Sequence, residues 1–72
     1  MAAAHDRYFE YVLERVRGDR YPSGELMDRI EATLGSREQV AEYLDVLFEK
    51  LEDSRYPSRQ LLDRVARLAH IV

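Results

Sequence analysis

The chain has 72 residues, of which 46% are hydrophobic and 35% charged, with three Gly, two Pro and no Cys. A chain of this size has material for one domain near the lower limit of an unaided apolar core, and its composition is that of a helix-rich globule and not of a disordered segment. The lack of cysteine excludes a disulfide framework and a thiolate metal site, and the net charge of −3 argues against a general nucleic-acid binder, which needs an excess of Lys and Arg.

The first six residues lack the basic start and apolar middle of a secretory signal, and no apolar run approaches the roughly 20 residues of a membrane span. A cytoplasmic protein without a membrane role is therefore expected. Ten Arg against one Lys fit a GC-rich, bacterial coding sequence.

Phe9, Val12, Leu13 and Val16 recur at helical spacing and predict a first helix over residues 6–17, with Gly18 able to end it in the left-handed conformation. Pro22 disfavours a helical residue at Tyr21, so the helix breaks there. Ser23 then stands where an N-cap hydroxyl is needed, with Glu25 favourable at the positive helix start. Leu26, Met27, Ile30 and Leu34 form the second apolar stripe, stopped by Gly35. Residues 36–39, Ser-Arg-Glu-Gln, match a capping box, so the joint to a third helix is very short. That helix continues to about residue 52 on Val40, Leu44, Leu47, Phe48 and Leu51. Ser58 repeats the Ser23 cap, and Leu61, Leu62, Val65, Leu68 and Ala69 form the stripe of a fourth helix.

The last two helices restate the first two. Sliding residues 8–34 onto residues 43–69, an offset of 35, gives nine identities in 27 positions, seven of them Arg20, Tyr21, Pro22, Ser23, Leu26, Asp28 and Arg29. Such self-similarity marks a duplicated supersecondary unit. The expected fold is all-α: a compact four-helix domain over residues 1–72, built from two tandem helical hairpins of about residues 6–35 and 36–72 and related by a pseudo-two-fold axis. The tetratricopeptide pattern does not fit, because its Trp, Gly-Tyr and Ala-Phe positions are missing and the proline lies inside the hairpin.

Two surfaces are candidates for function. On a helical wheel the second helix confines its large apolar residues to roughly 100°, whereas the first, by adding Tyr8 and Tyr11, and the third, by adding Tyr43 and Val46, widen to about 200°. Either helices one and three form a central pair, or Tyr8, Tyr11, Tyr43 and Val46 meet another chain. Tyrosine suits a border where one end of the side chain is buried and the other wet. The second candidate is the retained Arg-Tyr-Pro-Ser patch, with Arg20 and Tyr21 in one copy and Arg55 and Tyr56 in the other. Its structural role is ample: serine caps, proline fixes the approach, tyrosine packs as a modified staple, and Arg20 and Arg55 can pair with Asp28 and Asp63. Its functional role would be a small anion pocket formed by arginine, tyrosine and free helix-start amides.

Catalytic signatures are missing. His5 and His70 stand near opposite ends with no third ligand, no serine is followed by an elbow glycine, and no glycine-rich phosphate loop occurs. Glu38, Glu42, Asp45 and Glu49 sit at the spacing of a solvated helix face. Neither a cofactor nor a small-molecule substrate is expected. Arg59, Gln60, Arg64, Arg67 and His70 place basic or amide groups on the outward side of helix four, which could enter a major groove, but the acidic third helix beside it opposes phosphates. A non-catalytic protein-interaction or assembly module, self-associating as a homodimer, is thus expected, with a small DNA-binding transcription regulator as the alternative.

Overall fold

The computed structural model describes residues 3–72 as four helices: α1 (Ala4–Gly18), α2 (Gly24–Glu31), α3 (Arg37–Asp53) and α4 (Arg59–Ala69). No strand occurs among the described residues, and no helix among them is long and apolar enough to cross a membrane. The chain divides into two compact units, the first ending at Leu34 and the second running from Gly35 to Val72. The boundary falls within one residue of the repeat boundary read from the sequence. Helix α1 pairs with α2 in the first hairpin, and α3 with α4 in the second.

Local chemistry sets the helix starts. The Ser23 hydroxyl accepts from the Leu26 amide at 3.1 Å and the Ser58 hydroxyl from the Leu61 amide at 3.0 Å. Both serines hold nearly the same extended backbone, φ/ψ of −69/156 and −69/149, so the duplicated segment makes the same turn twice. At α3, Ser36 accepts from the Gln39 amide at 3.1 Å, while the Gln39 side-chain oxygen reaches past the cap to the Gly35 amide at 2.8 Å. The capping box thus closes one residue earlier than its usual partner.

The helix ends depart from expectation. Gly18 does not take the left-handed conformation; α1 stops because Asp19 turns extended, at φ/ψ of −89/125, while its amide still bonds to the Arg15 carbonyl at 3.2 Å. Helix α2 ends at Glu31, short of Gly35. The Thr33 hydroxyl donates to the Ile30 carbonyl at 2.7 Å and the Thr33 amide to the same oxygen at 2.9 Å, which tightens the turn and competes with a further α-helical bond. This early stop frees the Thr33 carbonyl, and His5 takes it: Nε2 lies 2.7 Å away and donates, while Nδ1 lies 3.6 Å from an Asp6 carboxylate oxygen. His5, read from the sequence only as a histidine near one end with no third ligand, therefore ties the beginning of α1 to the end of α2.

In the first hairpin the core is Phe9, Val12, Leu13 and Val16 of α1 with Met27 and Ile30 of α2. In the second it is Val40, Tyr43, Leu44, Val46 and Leu47 of α3 with Leu61, Val65 and Leu68 of α4, and Arg64 is buried among the α4 residues. On a wheel the α1 residues span roughly 100° and the α3 residues roughly 160°. Leu26, Leu34 and Leu51, read as stripe residues, are only partly buried, and Ala69 is exposed.

Candidate interaction surface

The first hairpin presents an aromatic and basic surface. Tyr8 and Tyr11 on α1 keep 41% and 61% of their area in solvent. Tyr8 lies close to the exposed Arg29 guanidinium of the neighbouring helix α2. Hydrogen-bonding and charge interaction with Tyr8 push the guanidinium pKa up from its usual value; Glu25 adds to the effect and desolvation opposes it. Arg15, one turn along α1, lies with Nη1 3.5 Å from the Tyr11 hydroxyl. Two tyrosines and two arginines thus share one side of the hairpin, with each ring edge held beside a cation. Such a surface carries large apolar area with little side-chain freedom left to lose, the combination favoured at protein interfaces.

Tyr43 and Val46 do not belong to an outer edge. Both are buried, at 0% and 1% exposure, because the α3 stripe takes in their side of the helix as well as the Val40, Leu44 and Leu47 side. The wheel gives the width of an apolar arc but not how much of it is covered. Only half of the expected tyrosine edge is therefore available to a partner.

The Arg-Tyr-Pro-Ser patches form two matching exposed knuckles. The Arg20 guanidinium carbon stands 5.7 Å from the Tyr21 ring centroid, and that of Arg55 stands 5.9 Å from the Tyr56 centroid. Both arginines thus stack on the tyrosine that follows them in the chain. Neither tyrosine is a staple: Tyr21 is 81% exposed and Tyr56 84%, because each precedes a proline that holds the chain extended and turns the ring away from its hairpin. Arg20, Tyr21, Arg55 and Tyr56 are all accessible, in two copies with the same local geometry.

Positions related by the offset of 35 reveal a consistent difference between the hairpins. Tyr8, Tyr11 and Arg29 are exposed, whereas their equivalents Tyr43, Val46 and Arg64 are buried. The reverse holds on the other side: Leu13 and Met27 are buried, whereas their equivalents Phe48 and Leu62 are exposed, at 41% and 47%. Phe48 and Leu62 were read as core stripe members, and no periodicity separates them from Leu47 and Leu61, which stand next to them in the chain and are buried. Each hairpin thus exposes positions whose equivalents, 35 residues away, the other hairpin buries.

Helix α4 loses part of its basic outer face by the same rotation. Arg64 is buried and engaged, while Arg59, Gln60, Arg67 and His70 remain exposed. The chain matches no protein family, no curated protein and no solved structure.

Proposed function

We propose that the chain is a non-catalytic protein-interaction module that self-associates. The observation that carries this is the Tyr8, Tyr11, Arg15 and Arg29 surface, where two large rings stay in solvent although they sit beside the core of a small hairpin. A 72-residue chain gains comparatively much from burying further apolar area against another copy. The Arg20–Tyr21 and Arg55–Tyr56 knuckles are the secondary contact surface, suited to a carboxylate or another ring on a partner.

The alternative, a transcription regulator reading DNA through α4, is less favoured. It needs a continuous basic face, and Arg64 is withdrawn from it. Solution mass measured by light scattering over a wide concentration range, at low and high salt, tests the proposal. A mass that rises with concentration and persists in high salt supports an interface with an apolar centre; a monomer throughout overturns self-association and leaves the knuckles and a separate partner.

A further inference from the structure

The exposed sides of the two hairpins, each described by itself, have complementary chemistry. The open side of the first carries Tyr8 and Tyr11 with Arg15 and Arg29, all exposed, and Glu25 stands one turn before Arg29 on α2. The open side of the second carries Phe48 and Leu62, and along α3 Phe48 is flanked by exposed Asp45, Glu49 and Glu52. Tyrosine and arginine thus stand on one, and on the other an apolar pair with three carboxylates along α3 and exposed Arg59 one turn before Leu62 on α4.

From this we infer that the partner is a second copy of the chain and that the contact is heterologous: the Tyr8/Tyr11/Arg29 side of one copy seats on the Phe48/Leu62 side of the next. The inference rests on the self-association proposed above and adds its polarity. Two considerations carry it. First, the sequence element is compatible with burial on both sides, because the second hairpin buries Tyr43, Val46 and Arg64 where the first exposes Tyr8, Tyr11 and Arg29, and the first buries Leu13 and Met27 where the second exposes Phe48 and Leu62. Each open side is the repeat equivalent of a side this chain already buries. Second, charge selects the pairing. Seating the tyrosine side on its own copy would bring Arg15 and Arg29 towards Arg15 and Arg29, and seating the Phe48 side on itself would oppose Asp45, Glu49 and Glu52 to one another, whereas the mixed contact sets guanidinium against carboxylate around an apolar centre. A contact between two different sides leaves one of each open on a joined pair, so it either closes into a ring or continues to further copies.

Complementation between blocked variants tests this. Tyr8→Glu with Tyr11→Glu blocks one side, and Phe48→Glu with Leu62→Glu blocks the other; all four positions are exposed, and circular dichroism checks that the helices are kept. The Gln versions of the same four changes repeat the test where a Glu version fails to fold. Each double variant alone should be monomeric where the unmodified chain associates, its self-affinity falling at least about tenfold, as the loss of a central aromatic anchor implies. An equimolar mixture of the two should form a one-to-one complex, because each supplies the side that the other lacks. If the Phe48/Leu62 variant still self-associates like the unmodified chain while the Tyr8/Tyr11 variant does not, the contact is isologous and the inference falls while self-association stands. A mixture that stays monomeric while the unmodified chain associates overturns it equally, and an unmodified chain that is monomeric at every concentration removes self-association and the polarity together.

Discussion

Tyr8 and Tyr43 stand 35 positions apart, the offset at which the sequence aligns with itself, yet Tyr8 keeps 41% of its area in solvent and Tyr43 keeps none. One tyrosine lies at the surface beside Arg29, and the other is the largest fully buried side chain among the described residues. Truncation should separate them. Tyr43→Ala is expected to cost about 3–5 kcal/mol, the range for emptying a buried aromatic site, which is a large share of the stability of so small a chain. Tyr8→Ala is expected to cost less than about 1 kcal/mol. Urea unfolding of the two variants at a concentration where the protein is monomeric checks this, and equal costs would contradict the burial difference.

The opposite side gives the mirror-image expectation. Leu13→Ala and Met27→Ala remove buried side chains and should each cost about 2–5 kcal/mol. Phe48→Gln and Leu62→Gln, at equivalent but exposed positions, should stay within roughly 0.5 kcal/mol of the parent. Denaturation midpoints of the four variants decide it. A loss of several kcal/mol at Phe48 or Leu62 would mean that this side is covered within the monomer.

The paired serine caps should behave alike. Ser23→Ala and Ser58→Ala each remove an acceptor from a helix-start amide, at 3.1 and 3.0 Å, and each should cost about 1 kcal/mol. The sites lie in separate hairpins and share no partner, so the double variant should lose about 2 kcal/mol, the sum of the two. Chemical denaturation of both singles and the double measures it, and Gly in place of Ala should restore most of the loss.

The arginine knuckles are exposed, and the proposed function expects them to matter for contact more than for folding. Arg20→Gln with Arg55→Gln removes both stacks on Tyr21 and Tyr56 and should lower stability by less than about 1 kcal/mol per site. Binding to a partner, measured by titration calorimetry or by the shift of the association midpoint, should weaken by more than that. A large stability loss with unchanged association would return the patch to a purely architectural role.

The local features of this fold were legible in the sequence. Ser23, Ser36 and Ser58 cap their helices because a hydroxyl placed just before an apolar stripe meets an amide three residues on, whatever the rest of the chain does. Helices α1 and α3 end at Gly18 and Asp53, a few residues before Pro22 and Pro57, and the two compact units divide at Leu34 and Gly35, one residue before the boundary read between residues 35 and 36. The wide apolar arc of α1 left open whether Tyr8 and Tyr11 enter a core or face solvent, and they face solvent. The burial of Tyr43, Val46 and Arg64, the exposure of Phe48 and Leu62, and the His5 bond to the Thr33 carbonyl belong to tertiary structure alone. Periodicity defines which side chains share a helix face, but neighbouring positions such as Leu47 and Phe48 differ by only about 100° of rotation. A modest turn of the buried stripe therefore exchanges core for surface without altering a single residue type in the pattern, and only the packed hairpin decides which way that turn goes.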